Sequence, residues 1–364
     1  MFSWLRSFFP SPFFVSVEPA AVCQLRCPAC PVGMSKTAEK PLTEQRPATP
    51  DRAQTNHETV NQSVSEAVCQ RSGLSAKRSV SEAVYPHRGL MPRDIWERVL
   101  SQIKDSAKII QFYFQGEPLL HKDLPVMIRE AHEAGLYTIV STNGQAMTQD
   151  LANALVAAGL NRIIVSMDGL TDESYGSYRI GGSLDKTQSA LRYLREAKKI
   201  CQQSGLSAKR SVFCQQSGLS AAGGLIIELQ VLRLKTNEHE WEAFKRLYRS
   251  LGADRLTFKT AQLYDYAAGH PLMPSNPRYS RYRLGSDGLY HRKSRWPWCT
   301  RVWMGCVIAT NGDVLPCCYD KAHEYVYGNI MEAPLAEILR SDKARAFMRA
   351  AQKEQPAICK ECWR

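Results

Sequence analysis

The chain has 364 residues, of which 44% are hydrophobic and 23% charged, enough to bury one large domain and a smaller one. The net charge of +12 favours anionic partners. Nucleic-acid binding is not predicted, because the chain has no basic stripe with interleaved aromatic residues. No run is long enough to span a membrane, and the N-terminus lacks the pattern of a secretory signal. We therefore expect a cytoplasmic protein whose clustered cysteines bind metal instead of forming disulfides.

Short internal repeats interrupt the chain. The stretch "CQRSGLSAKRSV" recurs later as "CQQSGLSAKRSV", and a polar, proline-containing tract precedes the first copy. Such a composition buries too little apolar surface to offset chain entropy. We interpret 36–86 and 202–222 as disordered, repeat-derived insertions. Cys69, Cys201 and Cys214 each open a copy of the repeat, so duplication explains them better than metal binding does.

Outside these tracts, short apolar runs rich in β-branched or aromatic residues alternate with amphipathic stretches. The predicted strands are 13–18, 109–114, 136–141, 162–167, 225–231 and 255–259. The predicted helices are 92–104, 122–134, 148–158, 184–200 and 238–251. This alternation indicates parallel strands joined by right-handed crossovers. We predict an α/β fold in which a partial (β/α)6 TIM-like barrel spans 13–262, after a cap segment at 1–12.

Polar motifs follow most of the predicted strands. "QGEP" at 115–118, "STNG" at 141–144 and "SMDG" at 166–169 follow strands two to four, and Gln230 and Lys259 lie near the ends of strands five and six. The chemistry of βα barrels lies at the carboxyl ends of the strands. The sequence therefore predicts one site to which all six strands contribute.

Three cysteines follow the first strand. Cys23, Cys27 and Cys30 have C-x3-C-x2-C spacing. Thiolates hold iron–sulfur clusters, normally four for each cubane, so three would leave one iron open to chelate a small molecule. A zinc site with a distant fourth ligand is the alternative, although zinc ligands more often come as C-x2-C pairs.

This cysteine loop, together with the strand-end motifs, resembles the radical S-adenosylmethionine (SAM) superfamily. The resemblance implies a [4Fe–4S] cluster on Cys23, Cys27 and Cys30, with SAM on its open iron. It implies a 5′-deoxyadenosyl radical that removes hydrogen from carbon, and a one-electron reductant such as ferredoxin or flavodoxin. Gln24 and Gln115 replace the Asn and Gly usual in the family. The implied SAM-binding residues are Gly116, Glu117, Pro118, Ser141, Asn143, Ser166, Asp168, Arg179 and Gln230.

Six more cysteines lie near the C-terminus, where "GCVIATNGDVLPCC" predicts a β-hairpin. The region resembles the SPASM/twitch extension with one auxiliary [4Fe–4S] cluster, here predicted as a β-hairpin/helix domain at 290–364 after a linker at 263–289. The ligand set implied is Cys299, Cys317, Cys359 and Cys362. Cys318 remains an alternative to Cys317, because adjacent strand residues point in opposite directions. Cys306 is interpreted as a buried structural thiol, and a zinc ribbon remains the alternative for the whole set.

The predicted function is radical SAM catalysis on a small molecule, such as an alcohol or sugar-like substrate, with the auxiliary cluster assisting oxidation. Modification of a peptide or protein is the alternative, and a non-catalytic iron–sulfur or zinc protein is an alternative of another class. Lys259 and Gln262, at or just after strand six, are the candidate catalytic residues facing the substrate. Lys259 could equally serve as a structural ion-pair partner.

Overall fold

The computed structural model describes residues 12–38, 88–203, 224–293, 299–360 and 362. The predicted cap segment and the two predicted insertions lie largely outside these ranges, as do Cys69 and Cys214. No helix in these ranges is both long enough and apolar enough to cross a membrane.

The strands in the described ranges run in chain order as β1 Phe14–Val17, β2 Ile109–Phe112, β3 Tyr137–Thr142, β4 Arg162–Ser166, β5 Ile226–Arg233, β6 Arg255–Thr260, β7 Tyr282–Leu284, β8 Tyr290–Arg292, β9 Gly305–Ile308, β10 Asp313–Leu315 and β11 Gly328–Asn329. β1 to β6 pair in parallel, each with the next in the chain. This confirms the predicted α/β fold with a partial barrel. The predicted strand bounds agree with the observed ones to within about two residues, the scatter expected at element ends.

The helices in the described ranges are α1 Pro31–Ala38, α2 Arg93–Ile103, α3 Leu124–Glu133, α4 Gln149–Ala157, α5 Asp172–Gly176, α6 Leu184–Gln203, α7 Trp241–Leu247, α8 Arg301–Met304, α9 Leu335–Ile338, α10 Asp342–Lys353 and α11 Ala357–Lys360. In α2 the buried residues include Ile95, Val99 and Ile103, which recur every four positions and so share one face. That face packs with outward-pointing strand residues such as Val15 and Ile110 in the main core.

Alternate residues of the same strands point to the inner face of the barrel. Tyr137, Ile139 and Ile164 form a small apolar cluster there, separate from the main core. The inner face turns polar toward the carboxyl ends of the strands, where Ser141 and Ser166 line a cavity. The period of two along a strand thus separates the residues that stabilise the fold from those that face the site.

The C-terminal hairpin extends the barrel sheet. β9 pairs in parallel with β1, placing Gly305 opposite Phe14, and β10 and β11 continue the sheet beyond β9. Gly305 suits this junction, because a Cβ atom there would lie 2.3 Å from the Phe14 ring. The hairpin itself was predicted, but its pairing with strand one was not. The pairing ties the second cysteine region directly to the edge of the barrel.

Candidate active site

The loop after β1 carries the first three cysteines. The backbone N–H of Leu25 donates to Cys23 Sγ at 3.4 Å, and Cys30 N donates to the Cys27 carbonyl at 3.1 Å, where α1 begins. Burial raises the pKa of the Cys27 thiol to about 12, against the opposing effect of the Arg179 guanidinium. Because the thiolate is the nucleophilic form, this thiol is a poor free nucleophile, and a metal bound there would have to displace its proton.

One cavity of about 490 Å3 connects the predicted residues, a volume typical of small-molecule sites. The predicted residues that line it are Cys23, Cys27, Cys30, Gly116, Glu117, Ser141, Asn143, Ser166, Arg179, Gln230, Lys259 and Gln262. Pro118 and Asp168 lie outside this lining. The carboxyl ends of β2 to β6 and the cysteine loop therefore meet at one site, as the positions of the motifs predicted.

Gly116 brings the motif after β2 against the cysteine loop. A Cβ atom at this position would lie 1.9 Å from the Ala20 carbonyl oxygen, and the next N–H, that of Glu117, donates to the Val22 carbonyl at 2.8 Å. The backbone N–H of Gln115 donates to the Glu18 carboxylate at 3.3 Å. The two backbone segments thus approach each other at Gly116, the glycine that this motif retains, and not at Gln115, where the family usually has another glycine. With three thiols as donors, the chemistry of this cradle fits a SAM-binding cluster.

Glu117 is a buried carboxyl group that joins two strand ends. It accepts hydrogen bonds from Thr142 Oγ1 at 2.6 Å, Asn143 N at 2.8 Å and Leu119 N at 3.2 Å. Burial raises the pKa of Glu117, and these donors oppose the shift. The neighbouring Pro118 begins a short 3-10 helix and is buried outside the lining of the cavity, which explains why this predicted residue does not reach the site.

Asp168 departs most clearly from its predicted place. It is fully buried, and its carboxylate accepts from Arg179 Nε at 2.7 Å and from Leu232 N at 2.6 Å. Burial alone would lower the pKa of Arg179, but the Asp168 charge raises it well above its ordinary value. The structure therefore makes Asp168 a support for Arg179, because both of its carboxylate oxygens already have protein donors.

The side-chain amide of Asn143 bridges the β3 end and the cysteine loop. Its Oδ1 accepts from Gln24 Nε2 at 3.2 Å, and its Nδ2 contacts Cys23 Sγ at 3.5 Å. Gln24, which stands where the family usually has Asn, thereby takes part in the hydrogen-bond network of the site. These contacts give the loop a defined position relative to the sheet.

The consecutive cysteines after β10 face different surroundings. Burial raises the pKa of Cys317, as do the neighbouring thiols of Cys318, Cys362 and Cys299, which places three members of the predicted auxiliary set near one another. Cys318 instead lines the cavity, where Arg301 Nη1 lies 3.8 Å from its sulfur. Because Cys318 lines the cavity and Cys317 does not, Cys317 is favoured over Cys318 as the auxiliary ligand.

The structure also shows the burial or backbone contacts of the remaining C-terminal cysteines. Cys359 is buried in α11, and the Cys362 N–H donates to its carbonyl at 3.2 Å. The Cys299 carbonyl accepts from Gln352 Nε2 at 2.9 Å. Cys306 is 1% exposed and belongs to the main core, as predicted. Within the described ranges, no three His, Cys, Asp or Glu side chains are grouped closely enough to hold a single metal ion.

Three cations in the cavity lining were not predicted. They are Arg281, Arg301 and Lys321, of which the last two come from the cysteine-rich region. Arg301 follows Cys299 by two positions and Lys321 follows Cys318 by three. Their closeness to predicted ligands was the available signal. It is a weak one, because exposed Lys and Arg are common near any loop.

Two family models match the chain. One, described as the radical SAM superfamily, matches residues 17–203, just over half of the protein. The chain belongs to the radical SAM superfamily. The second model, an iron–sulfur cluster-binding domain named SPASM, matches residues 299–363. This radical SAM protein is therefore an enzyme that uses SAM with a [4Fe–4S] cluster, and its SPASM region binds auxiliary iron–sulfur.

Curated relatives of this radical SAM protein have two kinds of activity. It is 26% identical over 289 residues to a PqqA peptide cyclase of Xanthomonas axonopodis pv. citri, covering 73% of this chain and 70% of the relative. It is 24% identical over 325 residues to an AdoMet-dependent heme synthase of Nitratidesulfovibrio vulgaris, covering 81% and 83%. A heme synthase of Methanosarcina barkeri matches at 29%, but over only 34% of this chain and 36% of the relative.

Solved radical SAM structures show the same fold. Native anSMEcpe with bound AdoMet superposes with a TM-score of 0.57 at 15% identity, covering 96% of this chain and 86% of the other. Streptococcus suis SuiB bound to precursor peptide SuiA superposes with a TM-score of 0.56 at 13% identity, covering 97% and 71%. These likenesses establish the architecture, while the substrate has to be argued from the site.

Proposed function

We propose that this chain is a radical SAM enzyme that modifies a peptide. The observation that carries the proposal is the alignment with PqqA peptide cyclases over 73% of the chain. The cavity of about 490 Å3 has partly exposed lining residues at Lys259 and Arg301, so a side chain of a longer substrate could enter from solvent. This favours the peptide alternative over the small alcohol or sugar-like substrate.

The barrel residues have a consistent role in this proposal. Cys23, Cys27 and Cys30 would hold the cluster, and the backbone at Gly116 and the guanidinium of Arg179 would bind the amine and carboxylate of SAM. When bound, the cluster and SAM supply a 5′-deoxyadenosyl radical that removes hydrogen from carbon. Tyr178, buried beside Arg179 with its ring centre 5.5 Å from the guanidinium carbon, helps to exclude water around this pair.

The auxiliary residues connect the second cluster to the same cavity. Cys299, Cys317, Cys359 and Cys362 would hold an auxiliary [4Fe–4S] cluster. Cys317 and Cys318 are consecutive, and Cys318 lines the cavity, so the two sites share one stretch of backbone. Lys259 and Gln262 also line the cavity and remain the proposed substrate-facing residues of β6 and the segment after it.

A small-molecule substrate is the second candidate, supported by the heme synthase alignment over 81% of the chain. One experiment separates the two. The reconstituted enzyme is reduced and then incubated with SAM and a size-fractionated extract of its source organism, which has been grown in heavy water. Mass spectrometry measures the deuterium transferred to 5′-deoxyadenosine. We expect transfer from the peptide fraction, abolished by prior protease digestion. Transfer from the small-molecule fraction alone would overturn the peptide proposal.

A further inference from the structure

Four cations line the cavity without a carboxylate partner. Lys259, Arg281, Arg301 and Lys321, here called the cationic wall, all contribute to the lining. None of the four forms an ion pair with a carboxylate of the described residues. They come from β6, the segment before β7, and the cysteine-rich region, so the fold collects them from three separate parts of the chain.

Neutral groups hold two of these four cations, Lys321 and Arg281, in place. Lys321 Nζ donates to Tyr264 Oη at 2.8 Å and to Gln262 Oε1 at 3.3 Å. Arg281 Nη1 donates to Tyr319 Oη at 2.9 Å, while its Nε donates to Thr260 Oγ1 at the same distance. These partners orient the charged groups but leave their charge uncompensated. Orientation before binding lowers the entropy that a ligand must overcome.

The charges of the cavity do not balance within the protein. Among the described residues of the lining, Glu117 is the only carboxylic acid, and it already accepts three hydrogen bonds from its own loops. Arg179 is compensated by Asp168, so it does not add to the excess. A [4Fe–4S] cubane on three thiolates is net negative, and SAM brings a carboxylate as well as a sulfonium, so the bound cofactors offset part of this positive charge. The remaining positive charge of the cationic wall is left for another ligand.

The cationic wall lines the same cavity as the SAM-cluster cysteines and Cys318. Burial alone would lower the pKa of Lys321, but the Tyr264 hydroxyl and the Cys30 and Cys318 thiols together raise it. Lys321 is therefore close to both the SAM-cluster loop and the start of the auxiliary region. An anion held there would lie within reach of the radical chemistry and would determine which neighbouring carbon is presented.

We propose that the cationic wall binds carboxylates of the substrate, and that the peptide modified by this enzyme is acidic at or next to the reacting residue. The inference rests on the proposed function and specifies its substrate class. Carboxylates are the anions that every peptide can present, and paired guanidinium N–H groups match their geometry. A concave site with few cations suits individual carboxylates better than a nucleic-acid backbone, which needs an extended basic track.

The test uses the same deuterated peptide fraction and the reconstituted full chain. Carboxyl groups of one sample are converted to neutral amides with carbodiimide and ethanolamine, and amino groups of a parallel sample are acetylated as the control. We expect amidation to reduce deuterium transfer to 5′-deoxyadenosine by at least about tenfold, the effect of losing one charge-assisted contact, while acetylation preserves it. Undiminished transfer from the amidated sample would overturn carboxylate recognition and leave the peptide proposal standing.

Variants connect the effect to the cationic wall. Lys321→Gln and Arg301→Gln should each raise the peptide concentration needed for half-maximal transfer about tenfold, while iron stays at about eight atoms per chain. Lys343→Gln, an exposed lysine of α10, is the matched control and should change neither. Arg301 is exposed, so its variant keeps the test valid if Lys321→Gln does not fold. Unchanged peptide dependence in a folded Arg301→Gln enzyme contradicts the proposal.

Discussion

The charged side chains on the two walls of the cavity differ in whether protein groups compensate them. On the barrel wall, Arg179 is held at 2.7 Å by the fully buried Asp168, and Glu117 is surrounded by three donors. On the C-terminal wall, Arg301 and Lys321 have only neutral or thiol contacts within the described residues. Arg179 and Glu117 are thus compensated before any ligand arrives, whereas Arg301 and Lys321 are not.

This difference separates structure-forming charges from ligand-binding charges. Buried charge is tolerated when it is paired and hydrogen-bonded, and a paired group is costly to disturb. The barrel wall should therefore respond to substitution through stability and cofactor retention. The C-terminal wall should respond through substrate dependence, as the amidation experiment tests.

The largest effect is expected in the SAM-cluster loop. Cys27→Ser should lower iron from about eight atoms per chain to about four, because one of two cubanes loses a thiolate ligand, and should abolish 5′-deoxyadenosine formation. Iron and sulfide assays after anaerobic reconstitution measure the first effect, and chromatography of the reaction measures the second. Cys201→Ser, which alters a repeat-associated cysteine of α6, should keep both values. Full iron content in Cys27→Ser would remove this residue from the ligand set.

The auxiliary region offers a comparison between neighbouring positions. Cys317→Ser should also leave only about four iron atoms per chain, yet should retain SAM cleavage, since the loop after β1 is intact. Cys318→Ser should retain about eight, because Cys318 lines the cavity of the SAM site and Cys317 does not. The reverse outcome would exchange the roles of the two cysteines.

The barrel wall predicts a large loss of stability at Asp168. Asp168→Asn leaves the Arg179 guanidinium buried without its counter-charge, and removing one partner of a buried pair lowers the free energy of unfolding by about 3–5 kcal/mol. Urea denaturation followed by circular dichroism measures it. Asp342→Asn, which removes the exposed partner of Arg345 in α10, should cause no measurable change. Equal effects of the two substitutions would show that the barrel pair is not structurally important.

A smaller loss is expected at Gly116. Gly116→Ala places a Cβ atom 1.9 Å from the Ala20 carbonyl oxygen, and overpacking of this kind costs about 1–3 kcal/mol. Gly176→Ala in α5 is the matched control, because nothing lies within 4 Å of its Cβ position, and it should be neutral or stabilising by up to about 1 kcal/mol. Denaturation curves of both variants measure the difference in the free energy of unfolding. A stable Gly116→Ala protein with normal iron content would contradict the close-packed cradle.

Most of the fold and the barrel half of the site could be predicted from the sequence, and the reason is physical. Strand and helix periods are local, and parallel strands place their carboxyl ends together, so motifs far apart in the chain could be assigned to one place. Asp168 and Pro118, which the resemblance assigned to SAM binding, lie outside the lining of the cavity. A motif identifies which residues are near the site, but local geometry decides which side chains reach it.

By itself, the sequence determined the α/β barrel, the cysteine loop and the family resemblance, because each depends on spacing within short segments. Tertiary structure decided the pairing of β9 with β1, the opposite surroundings of Cys317 and Cys318, and the assembly of the cationic wall. The Arg281–Tyr319 contact spans 38 positions, and the contact of Lys321 with Gln262 spans 59. Contacts at such separations carry no local periodic signal, since they form only when the C-terminal region closes against the barrel.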